Sequence, residues 1–174
     1  FFFHFYSFYD IILLMRKIII IYFSLTGNTK KLAVKIYEIL KSRGFEVSLF
    51  ELESKKKSFL MNCFDAIKGK TFHIEKVPPV ENYEIVFMGS PIWAGKITPL
   101  IRSLIKEVNL SNKKVFLFTT FGSGLAKTSA MKEFEKLVKE KGGEIIGNIE
   151  VKGKKIEENI NRVKETIEEC LKKF

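Results

Sequence analysis

Cysteine and histidine are scarce in this sequence, with two of each among 174 residues. Cys63 and Cys170 lie far apart and form no CxxC or Cys/His spacing, which argues against a disulfide framework and against a zinc site. This use of cysteine fits a reducing compartment best, so we expect a cytoplasmic protein. Apolar residues make up 46% of the sequence, which suits one domain with a sizeable core, and the length gives no reason to assume two.

Acidic residues are outnumbered by basic ones, 20 against 30, and the formal net charge is +10. Such a charge can indicate nucleic acid, a membrane surface or an acidic protein as partner. The basic residues, however, are scattered along amphipathic segments, as at Lys132, Lys136 and Lys139, and no patch interleaves them with aromatic side chains. We therefore expect no nucleic-acid partner.

The apolar run at the start, FFFHFYSFYDIILL, is too short as a helix to cross the ~30 Å hydrocarbon core of a bilayer. It also lacks the basic n-region and the small-residue cleavage site of a secretory signal. Met15 directly precedes the first predicted strand and looks like a natural start. We interpret residues 1–14 as upstream sequence or a disordered extension, with a short membrane-associating tail as the alternative. We interpret residues 15–174 as the domain and expect no membrane span.

From Lys17 onward, strand-like and helix-like segments alternate. Apolar or alternating runs predict strands at Lys17–Phe23, Phe45–Phe50, Ile85–Met88, Val115–Thr119 and Glu144–Val151. Helical spacing of apolar residues predicts helices from Leu32 to Leu40, after Thr98 and Pro99, from Ala130 to Val138, and from Ile156 to Leu171. Between Glu53 and Asn82 only SFLMNCFDAIKGK suggests a short helix. The alternation predicts a doubly wound α/β domain with a parallel sheet.

The loop after the first strand, SLTGNT, combines hydroxyl side chains, an amide and a glycine at the start of a predicted helix. Backbone N–H groups at such a helix start, together with the side chains of Ser24, Thr26, Asn28 and Thr29, form a candidate anion site. The loop has neither GxxxxGK[ST] nor GxGxxG, so a phosphate monoester fits better than a triphosphate or pyrophosphate. Alternatively, Asn28 or Thr29 only caps the helix.

Two further loops are expected at the same edge of the sheet. In GSPIWAGKITP, Trp93 precedes the small residues Ala94 and Gly95, an arrangement that can offer a flat wall to an aromatic ring. In TTFGSG, Phe121 lies between hydroxyl residues and glycine and can form a second wall. For each aromatic side chain the alternative is plain packing in the core.

With these motifs in this order, the chain resembles the flavodoxin family. The segment IIIIYFSLTGNTKKLA is similar to the family's [ST]-x-T-G-x-T phosphate loop, and GSPIWAGKITPLIRSL is similar to its loop after the third strand. The resemblance covers Met15 to about residue 170. It implies a five-stranded parallel sheet of order 2-1-3-4-5, helices on both faces, and FMN as cofactor. The last strand has no inserted loop, so the chain resembles the short-chain members.

The same resemblance implies roles for residues of all three loops. Ser24, Thr26, Asn28 and Thr29 would bind the FMN phosphate, Trp93 and Phe121 would flank the isoalloxazine ring, and the peptide around Ala94 and Gly95 would face flavin N5. The full implied set of cofactor-binding residues is Ser24, Leu25, Thr26, Gly27, Asn28, Thr29, Ser90, Pro91, Ile92, Trp93, Ala94, Gly95, Thr120, Phe121, Gly122 and Gly124.

The function that the resemblance implies is electron transfer between redox partner proteins, by a monomer or homodimer. The alternative is an NAD(P)H-dependent quinone or flavin reductase on the same fold, which would make the protein an enzyme. Members of the family that replace ferredoxin are usually strongly acidic, whereas this chain is basic, which predicts an unusual partner. A receiver domain is excluded, because Phe23-Ser24 and Gly89-Ser90 stand where it needs acidic residues. Ser90 and Ser123 lack the GxSxG elbow of a serine hydrolase.

Overall fold

The computed structural model describes residues 16–53, 74–122 and 127–172. Its strands are β1 (Lys17–Tyr22), β2 (Glu46–Glu51), β3 (Ile85–Trp93), β4 (Lys96–Ile97), β5 (Lys114–Phe121) and β6 (Glu144–Lys152). Its α-helices are α1 (Asn28–Ser42), α2 (Pro99–Glu107), α3 (Lys127–Glu140) and α4 (Ile160–Leu171). The interpreted extension at residues 1–14 and the suggested helix in SFLMNCFDAIKGK lie outside the described residues.

Five strands form one parallel sheet in the order β2-β1-β3-β5-β6. Numbered among the parallel strands alone, this is the predicted order 2-1-3-4-5, and the α/β class is confirmed. The short β4 was not predicted. It pairs antiparallel with the end of β3, where Ile92 faces Ile97 and Trp93 faces Lys96.

Apolar side chains on both faces of the sheet explain why the central strands are continuously hydrophobic. In β1, alternate isoleucines belong to two different cores: Ile19 and Ile21 to one, Ile18 and Ile20 to the other. Helices α2 and α3 cover the first core, and α1 and α4 cover the second. In this strand only the first residue, Lys17, is exposed, and the five residues that follow, IIIIY, are buried because both faces of the sheet are covered.

The helix α1 carries the predicted buried stripe of Leu32, Ala33, Ile36 and Leu40. It ends at Ser42, shortly before Gly44, which has a positive φ of 89°. Such left-handed glycines commonly stop helices. In α4 the regular helix begins at Ile160, later than predicted, because short 3₁₀ turns occupy Gly153–Lys155 and Glu157–Asn159.

The largest error of the sequence-based prediction concerns β3, which continues to Trp93 and not only to Met88. Serine and proline are common in turns, yet Ser90 and Pro91 stay extended because they pair with Thr119 and Thr120 of β5. β5 likewise continues to Phe121. Within the described ranges, none of the helices is both long and apolar enough to cross a membrane.

Candidate functional site

The loops after β1, β3 and β5 meet at the carboxyl edge of the sheet. The N–H of Phe23 donates to the carbonyl oxygen of Gly89 at 3.2 Å, which ties the first loop to the second. The hydroxyls of Thr29 and Thr120, 91 residues apart, are hydrogen-bonded at 2.7 Å, which ties α1 to the third loop. Ligands of open α/β sheets bind outside this edge. The structure therefore brings the three predicted loops together.

The amino end of α1 has backbone N–H groups without an intrahelical partner, and its N-cap residue provides no side-chain cap. Gly27, with φ of 86°, occupies the N-cap position, and Asn28 and Thr29 are the first residues of the helix. The first hydrogen bond inside the helix joins the N–H of Lys31 to the carbonyl oxygen of Gly27 at 2.8 Å. The N–H groups before Lys31 have no intrahelical partner. The alternative that Asn28 or Thr29 caps the helix is wrong, because Gly27 occupies the N-cap position and both residues lie inside the helix.

The side chains of SLTGNT differ in what they contact. The Oγ of Ser24 is buried and has no hydrogen-bond partner among the described residues. Thr26 is exposed, and the Nδ2 of Asn28 donates to its Oγ1 at 3.4 Å. Leu25 packs against the core. A buried hydroxyl without a partner costs free energy, so a ligand atom that bonds it would be favoured at this position.

Cations in the first turns of α1 are held by carboxylates from neighbouring elements. The Nζ of Lys30 lies 2.7 Å from Glu51 Oε2, and that of Lys31 lies 3.0 Å from Glu157 Oε1. The hydrogen bond and charge of Lys31 lower the pKa of Glu157. Because α1 has no acidic residue in its first turn, its backbone donors face no carboxylate from the helix itself.

Glu51 also anchors the end of β1. The hydroxyl of Tyr22 donates to Glu51 Oε2 at 3.1 Å, the same oxygen that Lys30 contacts. Burial, followed by the charge and the hydrogen bond of Glu51, raises the pKa of Tyr22 above its ordinary 10.0. The tyrosine therefore stays a neutral donor, and this network connects β1, β2 and α1 directly below the SLTGNT loop.

In the second loop, Ser90 is fully buried. Its Oγ donates to the carbonyl oxygen of Pro91 at 2.9 Å and accepts from the N–H of Thr98 at 3.0 Å. These bonds hold the start of α2 against β3. Pro91 and Ile92 are half-buried. Trp93 is only 5% exposed and packs edge-on against Phe23, with ring centroids 5.7 Å apart. The structure thus places the indole in the core, and its role as a flavin wall stays a prediction.

Ala94 and Gly95 form the turn of the hairpin between β3 and β4. Their φ angles are 47° and 73°, and positive values at both central residues are typical of a type I′ turn. An alanine with positive φ is strained, whereas glycine accepts this backbone freely. Ala94 is exposed at the turn and Gly95 is buried.

In the third loop, Thr120 is 3% exposed and Phe121 half-buried at the end of β5. Gly122 is exposed, and a Cβ added there would meet no atom within 4 Å. Gly124 lies outside the described residues. The part of this loop that the structure describes therefore offers an open backbone beside one partly accessible aromatic ring.

Comparison with known sequences assigns the family. The profile of the family described as flavodoxin matches residues 20–173. The chain belongs to the flavodoxin family. Flavodoxin-like domain-containing protein BilS of Clostridioides difficile is 30% identical to it over 141 residues, which cover 79% of this chain and 66% of BilS. An uncharacterised protein of Methanocaldococcus jannaschii is 35% identical over 91 residues, 51% of this chain and 61% of that protein. The chain thus spans less than two thirds of the length of these relatives.

Solved structures show the same flavodoxin fold. A flavoprotein in complex with FMN from Lactobacillus acidophilus superposes with a TM-score of 0.61 at 21% identity. The superposition covers 82% of this chain and 97% of that one. At this identity the similarity establishes the fold of the chain.

One segment of this flavodoxin edge was missed by sequence reasoning, namely the turn that follows β6. Lys152 lies beside Phe121 in the register of β5 and β6. Gly153 is buried against Asn28, and a Cβ added to it would lie 2.6 Å from Asn28 Nδ2. No motif marks this turn, and the predicted strand stopped at Val151. Its lysine-rich sequence, VKGKK, is the feature that could have drawn attention to this turn.

The described residues contain no group of three His, Cys, Asp or Glu side chains that could hold a metal ion. The donors that converge on SLTGNT are instead hydroxyl, amide and backbone N–H groups, the chemistry that suits an anionic oxygen.

Proposed function

We propose that this protein binds FMN and carries electrons one at a time between redox partner proteins. The observation that carries the proposal is the amino end of α1, where N–H groups without an intrahelical partner and the buried, unbonded Oγ of Ser24 meet at the carboxyl edge of the sheet. Such a site suits a phosphate dianion without a metal. Membership of the flavodoxin family and the FMN-bound flavoprotein with the same fold support the choice of FMN.

The residues present fit this cofactor. Ser24, Thr26, Asn28 and Thr29, with the N–H groups of the loop, would bind the phosphate. Phe121 is partly accessible and would lie against one side of the ring system, while the exposed turn at Ala94 would bring backbone to its edge. FMN, once bound, supplies the redox chemistry through its isoalloxazine ring.

Trp93 would serve as the other wall only if its indole moved outward from the core position described above. The two walls would therefore differ, because Phe121 is already partly exposed, whereas Trp93 would exchange its contact with Phe23 for contact with the flavin.

We expect Thr26→Ala to raise the dissociation constant for FMN about tenfold, since one charge-assisted hydrogen bond contributes roughly 1.5 kcal/mol or more. The dissociation constant for riboflavin should stay unchanged, because riboflavin has no phosphate. Both values can be measured by flavin fluorescence titration of the apoprotein.

Ser42→Ala is the matched control for this experiment. Ser42 ends the same helix, is exposed, and its hydroxyl donates to the carbonyl oxygen of Ile39 at 2.8 Å, far from the loop. It should change neither constant. Equal losses of FMN and riboflavin affinity in Thr26→Ala would argue against the phosphate role of the loop.

The second candidate is an NAD(P)H-dependent quinone or flavin reductase on this fold. Such an enzyme would need an open pocket over the flavin ring, and at that edge Phe121 is half-buried and Gly122 exposed. Mixing the FMN-loaded protein with NAD(P)H and a quinone separates the two functions. A carrier consumes NAD(P)H slowly under these conditions, and rapid turnover would replace the carrier proposal by the reductase.

A further inference from the structure

The turn after β6, which we call the basic turn, comprises Lys152, Gly153, Lys154 and Lys155. It adjoins the candidate flavin site on two sides. Lys152 lies beside Phe121 of β5, and Gly153 is in contact with Asn28 of the SLTGNT loop. A molecule that touches the basic turn would therefore also lie near a flavin held by that loop.

The charges of the basic turn are only partly compensated. Lys155 contacts Glu158 at 2.8 Å, and the nearby Glu157 is engaged by Lys31 at 3.0 Å. Lys152 and Lys154 are exposed, and neither has a carboxylate within salt-bridge distance in the part of the chain that the structure describes. Two free positive charges thus remain at this end of the edge.

The opposite end of the same edge is different. After β2, Glu51 is shared by Lys30 and Tyr22, and the exposed Glu53 follows it. β2 and β6 are the two outer strands, four strand spacings apart, which corresponds to about 19 Å. Within the described residues, the outer strand β2 thus ends in Glu51 and is followed by Glu53, whereas the outer strand β6 ends in Lys152, next to Phe121, and is followed by Lys154.

We propose that the basic turn is the docking surface for an acidic electron-transfer protein. The inference rests on the proposed function, because it presumes a flavin beside Phe121 and Asn28. A few uncompensated charges beside the site of electron transfer speed the encounter and orient the partner without creating a tight complex. Nucleic acid fits less well, because the basic turn has no aromatic side chain on which a base could stack.

The test uses two forms of one probe protein, native basic cytochrome c and its succinylated, acidic form. The FMN-loaded protein is reduced with dithionite, freed of excess reagent and mixed with either form in a stopped-flow instrument. Each fully reduced FMN gives up two electrons, which convert two ferric haems to ferrous haems, and its protons pass to water. We expect the acidic form to be reduced about tenfold faster at low salt, because steering by charge changes association rates by ~10 to 10³.

The double variant Lys152→Gln/Lys154→Gln should lower this preference to about threefold or less. High salt should remove the preference in the unsubstituted protein and in the double variant, because the Debye length falls to about 3 Å at 1 M. The control is Lys136→Gln/Lys139→Gln, which removes the same charge from exposed positions in the second half of α3. The control should keep the preference. If both variants lose the preference equally, the preference depends on the net charge of the protein and not on the basic turn, which would overturn the proposal.

A second measurement needs no flavin. Binding of a fluorescein-labelled oligoglutamate peptide and of an oligouridylate of equal charge is followed by anisotropy. We expect the peptide to bind at low salt and the Lys152→Gln/Lys154→Gln variant to lose that binding. Stronger binding of the oligouridylate through the same lysines would assign the basic turn to nucleic acid and overturn the proposal.

The two proposals fail in different ways. If the protein does not take up FMN, the proposed function is wrong, which the absorption spectrum shows before any cytochrome is added. If FMN is bound but both cytochromes react alike, only the docking surface is wrong.

Discussion

The Glu133→Ala variant should unfold with a free energy about 3 kcal/mol below that of the unsubstituted protein, the scale observed when one partner of a buried ion pair is removed. The Nε of Arg102 in α2 donates to Glu133 Oε1 in α3 at 2.6 Å, and the two side chains are only 6% and 20% exposed. Removing the carboxylate leaves a guanidinium in a largely dry position. Urea denaturation followed by circular dichroism measures the difference.

Glu135→Ala is the control on the same helix, because Glu135 only accepts an exposed hydrogen bond from Asn148 at 2.7 Å. It should cost about 0.5 kcal/mol or less, as surface substitutions usually do. The double variant Arg102→Met/Glu133→Leu should regain much of the loss, because an apolar pair can replace a buried ion pair. Equal stability of Glu133→Ala and Glu135→Ala would contradict the importance of this ion pair.

The ion pair between Arg102 and Glu133 also affects the candidate flavin site. α2 follows the β3–β4 hairpin, and α3 packs against β4. Joining these two helices fixes the hairpin whose turn is Ala94 and Gly95.

A methyl group at Gly89 should be nearly as damaging, costing about 3 kcal/mol by overpacking. Gly89 lies in β3 beside Phe118 of β5, and a Cβ built on it would be 2.2 Å from both Cε2 and Cζ of that ring. Phe118 is fully buried, so the ring has little room to move. The measurement is the denaturation midpoint of Gly89→Ala.

Gly122→Ala provides the comparison, because a Cβ there meets nothing within 4 Å. Its stability should match that of the unsubstituted protein within about 0.5 kcal/mol. Combining Gly89→Ala with Phe118→Leu should recover stability by removing the clash. If Gly89→Ala and Gly122→Ala are equally stable, the close contact with the ring is not a constraint.

The fold was predictable because its determinants are local in sequence. The β-branched run KIIIIY is typical of a strand buried on both faces, and the spacing of Leu32, Ala33, Ile36 and Leu40 is typical of a helix with one buried face. The alternation of such segments then restricts the topology to a parallel sheet with crossover helices. The strand order was predicted from the resemblance of two loops, SLTGNT and GSPIWAGKITP, to the flavodoxin family.

The details of the site depend on contacts between distant residues, and these were not predictable. β3 continues past Met88 because β5 and β4 pair with it, whereas the local residues Ser90 and Pro91 suggest a turn. The bond between Thr29 and Thr120 joins residues 91 positions apart. The basic turn became part of the edge only when Gly153 was found against Asn28.

The sequence also left open whether individual side chains of the site are buried. The sequence predicted Trp93 as a wall of the site and left packing in the core as the alternative, since both arrangements put the indole next to apolar groups. The structure gives the core position, edge-on to Phe23. Ser90 shows the same limit: its hydroxyl is engaged by Thr98 and Pro91, a pairing that no motif indicates.

The most direct test of the central claim is the ratio of the dissociation constants of riboflavin and FMN for the unsubstituted protein. We predict that FMN binds at least about 100-fold more tightly, since two charge-assisted hydrogen bonds to the phosphate contribute roughly 3 kcal/mol together. Equal affinity for the two flavins, or a protein that stays colourless with excess FMN, would contradict the claim that the amino end of α1 holds the phosphate.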